Sequence, residues 1–71
     1  MENMEFSEIL KHYLIVNKLT QTEFASKIGV KQSQVSEWLK GKAKPGYDSI
    51  KQMVVAFGLS PMYLLGLEEE F

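Results

Sequence analysis

Residues 20–41, TQTEFASKIGVKQSQVSEWLKG, predict two short helices joined by a tight turn. The first helix is expected over residues 21–28. Thr20 can cap its first turn, and Glu23, three residues later, completes a T-x-x-E capping box. Gly29 ends the helix, since glycine takes the left-handed C′ conformation without a steric penalty. The local sequence therefore specifies both ends of this helix.

The second helix is expected over residues 32–40, after a turn at Gly29 and Val30. Apolar residues recur in both helices at the spacing of one buried helical face. They are Phe24, Ala25 and Ile28 in the first helix and Val35, Trp38 and Leu39 in the second. Two such helices that cross over a short glycine turn form a helix-turn-helix.

The opposite side of the second helix is polar and carries Gln32, Ser33, Ser36 and Glu37. Glutamine can form two hydrogen bonds with an adenine edge, serine can donate or accept, and glutamate can accept from a cytosine amino group. A plain solvated face is the alternative explanation for these residues. The neighbouring glycine turn and lysines favour contact with base edges.

Lysines are concentrated around this motif, although the net charge of the chain is −1. Residues 27–51 contain six of the eight lysines against Glu37 and Asp48, a local net charge of +4. Acidic residues lie towards the two ends of the sequence, at Glu2, Glu5, Glu8, Glu68, Glu69 and Glu70. Salt screens charges beyond roughly 8–10 Å, so the local field governs attraction to a polyanion. The lysines at 40, 42 and 44 are therefore predicted to contact phosphates, with plain solubility as the alternative.

One helix is expected before the motif, with Ser7 as its N-cap and its end near Lys18. Its core-facing residues are predicted to be Phe6, Ile9, Leu10, Tyr13, Leu14 and Leu19. Ile15 and Val16 broaden this apolar stripe, which predicts that the first helix is the most enclosed one.

Two helices are expected after the motif. The fourth spans residues 47–57, where Ile50, Met53, Val54 and Phe57 stand at helical spacing and Gly58 follows. Ser60 and Pro61 start a short fifth helix as N-cap and N1 residue. Its apolar residues exceed what one buried side requires. A dimer surface is therefore predicted at Met62, Tyr63, Leu65 and Leu67, unless Leu64 and Leu65 close the core instead.

Composition restricts the class of protein. The 71 residues suit one domain, with a core over about residues 6–66 and acidic termini. The chain has no cysteine, no apolar run of about 20 residues and no basic N-terminus of the signal-peptide kind, which favours the cytoplasm. His12 is the only histidine and is expected on the surface, so no metal or cofactor is predicted. Nothing pairs a nucleophile with a base, so no enzyme is expected.

The helix-turn-helix segment and the helices around it resemble the lambda-repressor-like helix-turn-helix family of phage and bacterial regulators. The match covers about residues 6–66 without a forced gap. The matching residues are Leu19-Thr20-Gln21, Glu23, Ala25, Ile28-Gly29-Val30, Val35-Ser36, Trp38, Gly41, Pro45, Ile50, Met53, Phe57-Gly58-Leu59-Ser60 and Leu64-Leu65-Gly66.

The resemblance implies an all-α, five-helix domain that places its third helix in the major groove of double-stranded DNA. It implies that residues matching Gln32, Ser33, Ser36 and Glu37 face the bases or the adjoining phosphates. Backbone contacts are implied for residues matching Gln21, Lys40, Lys42 and Lys44. It also implies a homodimer on a palindromic operator, joined through the fifth helix. One departure concerns Lys31, where the family usually has a serine or threonine cap; Lys31 is expected to contact DNA directly.

The sequence therefore predicts a cytoplasmic, sequence-specific transcriptional regulator of bacterial or phage type, most simply a repressor. It predicts no membrane partner and no small-molecule substrate. A second interpretation remains open: the same fold can serve as a protein-interaction or antitoxin-like module with weak affinity for DNA.

Overall fold

Five α-helices make up the regular structure in the computed structural model, which describes residues 5–67. They are α1 Phe6–Val16, α2 Gln21–Ile28, α3 Gln32–Leu39, α4 Tyr47–Phe57 and α5 Pro61–Leu64. The all-α, five-helix prediction is confirmed, and α3 ends one residue earlier than predicted, with Lys40 as its C-cap. The predictions about the acidic ends at Glu2 and residues 68–70 lie outside the described residues.

The hydrophobic core takes side chains from all five helices and from Leu59 in the last turn. Its buried residues are Ile9, Leu10, Tyr13, Leu14, Phe24, Ala25, Ile28, Val35, Trp38, Met53, Leu59, Tyr63 and Leu64. Trp38 is 1% exposed and meets the ring of Phe6 edge-on, with the ring centroids 6.1 Å apart. This contact fixes the back of α3 against the start of α1.

Three aromatic rings join α1, α2 and α4. Phe24 stacks on Phe57 with the centroids 5.0 Å apart and the planes 5° from parallel. Tyr13 meets both rings edge-on, at 6.4 Å from Phe24 and 5.8 Å from Phe57. Such pairs each contribute about 0.5–1.5 kcal/mol beyond their buried area. The cluster therefore holds the helix-turn-helix on the rest of the domain.

The predicted capping box of α2 is confirmed. The backbone N–H of Glu23 donates to Oγ1 of Thr20 at 3.0 Å, and the backbone N–H of Thr20 donates to Oε1 of Glu23 at 2.9 Å. At the other end Gly29 has φ 75°, the left-handed conformation that favours glycine. The capping box thus fixes the start of α2, and Gly29 fixes its end at the turn before α3.

Helix α1 differs from its prediction at both ends and in its burial. Glu5, not Ser7, occupies its N-cap, without a side-chain cap hydrogen bond, and the helix ends at Val16. Ile15 is 67% exposed and Val16 49% exposed, so α1 is not enclosed as predicted. Successive residues rotate by about 100° around a helix, and the turn that buries Tyr13 and Leu14 places Ile15 on the far side.

Helix α5 separates the apolar residues of its sequence into two sets. Ser60 is the predicted N-cap, since its Oγ accepts from the backbone N–H of Tyr63 at 3.4 Å. Tyr63 is 3% exposed and its hydroxyl donates to the carbonyl of Ile9 at 3.5 Å. The prediction that Tyr63 belongs to a dimer surface is therefore wrong, because its side chain fills the core. Leu64 closes the core as well, whereas Leu65 is 56% exposed.

Candidate nucleic-acid interface

Helix α3 presents its polar residues because its apolar residues anchor the other side. Val35 is 0% exposed and Trp38 1% exposed. The four predicted base-reading residues fall within an arc of about 140° around the helix axis. Gln32, Ser33 and Glu37 are exposed, and Ser36 is half-buried. The structure thus brings all four to one outward face.

A side-chain hydrogen bond connects this face to α2. Nε2 of Gln32 donates to Oε1 of Gln21, so the first residues of α3 and α2 are linked across the turn. Gln21 is half-buried and adjoins the capping box at Thr20. Both glutamines are predicted from the sequence to contact DNA, but the sequence does not predict that they contact each other. The signal for this contact is that the two glutamines are the first residues of the two motif helices.

The N-terminus of α3 lacks a side-chain cap. Lys31 occupies the N-cap position and forms no cap hydrogen bond through its side chain. Its carbonyl accepts the first helical bonds, from the backbone N–H groups of Gln34 and Val35. The amides of Gln32 and Ser33 precede those bonded groups and point out of the helix end. Together with the Lys31 ammonium group, this end can attract an anionic oxygen.

The segment after α3 carries the three predicted phosphate-contacting lysines. Lys40, Lys42 and Lys44 are all exposed. The turn is closed by the backbone N–H of Gly41, which donates to the carbonyl of Trp38, and by that of Lys42, which donates to the carbonyl of Glu37. The loop is thus fixed to the last turn of α3, next to the polar face.

The side chain of Lys44 lies near the start of α1. Its Nζ lies 3.9 Å from Oε2 of Glu5, at the start of α1, and both side chains are largely exposed. Lys44 also borders a groove formed with Phe6, Pro45, Ile50, Leu64 and Leu65. An exposed ion pair of this length contributes at most about 1 kcal/mol, so a phosphate group can compete for the ammonium group. No sequence pattern connects Glu5 with Lys44.

The predicted dimer surface is reduced to three exposed apolar side chains. Met62 is 43% exposed, Leu65 56% and Leu67 51%. Met62 lies in α5, and Leu65 and Leu67 follow it. His12 is exposed, as predicted.

Residues 5–67 show neither a metal-binding cluster nor a membrane-spanning helix. This part of the chain contains no group of three or more histidine, cysteine or acidic side chains placed to hold a metal ion. None of its helices has the length and apolar character needed to cross a membrane.

Comparison with known proteins identifies relatives among DNA-binding regulators. The model of the Helix-turn-helix family matches residues 10–64. The HTH-type transcriptional activator BcrR of Enterococcus faecalis is 33% identical over 66 residues, which make up 93% of this chain and 32% of that protein. The chain therefore spans about a third of the length of this relative.

Two solved structures have the same fold. A transcriptional regulator from Listeria innocua superposes with a TM-score of 0.81 at 22% identity, over 100% of this chain and 65% of its own. The SOS-response transcriptional repressor LexA from Eubacterium rectale superposes with a TM-score of 0.80 at 29% identity, over 92% of this chain and 69% of its own. The relatives thus include both an activator and a repressor.

Proposed function

The chain belongs to the helix-turn-helix family of DNA-binding transcriptional regulators, and we propose that it reads operator half-sites with α3 in the major groove. The observation that carries this proposal is the outward polar face of α3, linked to α2 through the bond between Gln21 and Gln32. An α-helix fits the major groove, where each base pair presents its own pattern of donors and acceptors.

Base reading is assigned to the four residues of this face. The Gln32 amide can form two hydrogen bonds with adenine, and the hydroxyl groups of Ser33 and Ser36 can donate or accept. Glu37 accepts from a cytosine amino group and repels phosphates at the wrong register. Replacing Glu37 by Ala is therefore expected to change the preferred base sequence as well as the affinity.

Backbone contacts are assigned to Gln21, Lys31 and the lysines at 40, 42 and 44. Each phosphate that a lysine neutralises releases counterions, so the affinity falls as salt rises. If about three lysines of each protomer meet phosphates, a dimer gives a log–log salt slope near −5. Such contacts position the protein and leave the choice of sequence to α3.

The proposed assembly is a homodimer on a palindromic operator, joined through Met62, Leu65 and Leu67. The exposure of these side chains supports an apolar contact between two copies. We propose that the bound dimer represses transcription in the cytoplasm and needs no cofactor. The similarity to an activator favours activation as the second candidate. A reporter gene placed behind the operator distinguishes the two, because its expression falls with a repressor and rises with an activator.

The test of DNA reading is selection from a randomised duplex pool at roughly physiological salt, followed by sequencing. An enriched inverted repeat with half-sites about 10 base pairs apart supports the full proposal. A single enriched half-site supports reading by α3 without dimerisation. The Gln32→Ala variant, altered on the exposed face, is the comparison and should enrich a site whose preference is relaxed at one base pair.

Failure of the selection has a defined meaning. If folded wild-type protein enriches no sequence, the proposed DNA reading is wrong. The protein-interaction or antitoxin-like function then becomes the better assignment.

A further inference from the structure

Two lysines lie outside the segment 27–51, namely Lys11 and Lys18, and both are exposed. Lys11 is on the outer side of α1, and Lys18 is in the turn between α1 and α2. Neither ammonium group pairs with a carboxylate within the part of the chain that the structure describes. Two positive charges are thus available beside the start of α2.

Lys11 borders the same groove as Gln21. The groove is lined by Lys11, Leu14, Ile15, Leu19, Thr20, Gln21 and Leu39. Its walls are the end of α1, the start of α2 and the last residue of α3. Because Gln21 is bonded to Gln32, the groove adjoins the outward polar face of α3. Lys11 therefore flanks the proposed DNA-reading helix on the α1 side.

Lys18 is fixed in place by an unusual backbone conformation. Its φ is 54°, and it is the one non-glycine residue with positive φ among residues 5–67. Its N–H donates to the carbonyl of Ile15 at 3.2 Å, and the N–H of Leu19 donates to the carbonyl of Leu14 at 2.9 Å. Consecutive Cα atoms are about 3.8 Å apart, so the Cα of Lys18 lies within about 11 Å of that of Gln21. Glycine would take this conformation without strain, yet the position carries a charged side chain.

The chemistry of this edge suits one partner, the phosphate backbone of DNA. Within residues 5–67 neither ammonium group forms an ion pair with a carboxylate, and the carboxylate of Glu23 accepts from the backbone N–H of Thr20. A duplex that places one strand against Gln21 extends its phosphates along the same side of the domain. Lysine ammonium groups at such an edge fix the position and register of the protein on the duplex without reading its base sequence.

We propose that Lys11 and Lys18 form a second phosphate-contacting edge, on the α1 side of α3, in addition to the lysines at 40–44. This inference rests on the proposed DNA binding. It assigns one strand of the duplex to the α1 edge and Gln21, and a further stretch of backbone to the loop after α3.

The test is the affinity for the selected operator duplex, measured by fluorescence anisotropy over a range of salt concentrations. Lys11→Ala and Lys18→Gly are each expected to lower the affinity roughly 3- to 10-fold near physiological salt. The log–log salt slope should become less negative by about 0.9 for each lost contact. Lys51→Ala, which removes an equal charge from the exposed side of α4, is the matched control and should leave the slope unchanged.

The Lys18→Gly variant separates an effect of the charge on DNA affinity from an effect on folding stability. Glycine relieves the left-handed conformation, so the thermal midpoint should stay equal or rise while the DNA affinity falls. A purely structural role of Lys18 would leave DNA affinity unchanged in this variant. Ethylation interference should also show that both variants lose phosphates at one edge of the half-site.

The possible failures are distinguishable. If wild-type protein binds the operator with a steep salt slope but both variants behave like Lys51→Ala, the α1 edge is wrong and the proposed function stands. If wild-type protein selects no DNA sequence, the proposed function and this inference are both overturned.

Discussion

Gln21 and Gln32, eleven residues apart, share a hydrogen bond that joins the first residue of α2 to the first residue of α3. The side-chain amide of Gln32 donates through Nε2, and its Oε1 is therefore directed away from Gln21. The position of Gln32 on the outward face is thus set by a residue outside α3. Base reading and backbone contact are therefore expected to depend on each other.

This dependence can be measured with Gln21→Ala, Gln32→Ala and the double variant. Gln32→Ala should cost about 1–3 kcal/mol of binding to the selected site and relax its preference at one base pair. The double variant should lose less than the sum of the single losses, with a coupling of about 0.5–3 kcal/mol. Titration of all four proteins with one duplex gives the cycle. Strict additivity would show that the bond does not orient Gln32 on DNA.

Lys31→Ser should move stability and binding in opposite directions. Serine can cap α3, which adds about 1 kcal/mol to the free energy of unfolding. Loss of the ammonium group should weaken DNA binding and make the salt slope less steep. Urea unfolding and a binding titration on the same preparation measure both effects. Tighter binding by this variant would contradict the proposed role of Lys31.

The capping box gives the fold a pH dependence with a definite sign. Hydrogen bonds from the backbone and then the side chain of Thr20 lower the pKa of Glu23 from its usual 4.5. A lowered pKa in the folded state means that unfolding takes up protons, so this stabilisation is full above the unfolded pKa. It should be lost as the pH falls below about 4.5 and through the folded pKa.

Glu23→Gln is the comparison for that dependence, because it retains the shape of the side chain. Urea midpoints measured from neutral to acidic pH should show the wild type losing its advantage over this variant as the pH falls. A constant difference across that range would remove Glu23 as the cause.

The three exposed apolar residues of the α5 region predict a concentration-dependent dimer. Leu65→Ser should weaken the dimer and the affinity for a full palindrome, while the affinity for a single half-site stays the same. Because Leu65 is 56% exposed, the change should alter the stability of the monomer by no more than about 0.5 kcal/mol. Sedimentation over a range of concentrations measures the assembly.

Tyr47→Ser provides the control for this test. Tyr47 is 78% exposed on α4, so its loss removes a comparable apolar surface elsewhere. If both variants shift the sedimentation equally, α5 is not the contact.

The parts of the fold that local chemistry specifies could be predicted from the sequence. Thr20 with Glu23, Gly29 and Ser60 with Pro61 each act within one helical turn, and the structure has the helix ends where they predict. The two buried stripes of the helix-turn-helix likewise follow from spacing along the chain. The candidate site residues on α3 are predicted because they lie opposite one of those stripes.

The errors at Ile15 and Tyr63 concern residues whose surroundings are set by distant elements, whereas the N-cap of α1 is a local error. Ile15 is exposed because no other helix among residues 5–67 covers that side of α1, and Tyr63 is buried because it reaches Ile9, 54 residues earlier. The pairs Gln21–Gln32 and Lys44–Glu5 are also tertiary contacts. Helical periodicity shows which residues share a face, but it does not show which face meets which neighbour.

The contact between Tyr63 and Ile9 sets an order of events during synthesis. Helix α1 leaves the ribosome before α5, so the carbonyl of Ile9 can accept from the Tyr63 hydroxyl only when α5 has followed. Leu64 covers the same side of the core at the same moment. A nascent chain halted before residue 61 lacks the core side chains of Tyr63 and Leu64. The domain therefore reaches its complete fold only after translation has passed the fifth helix.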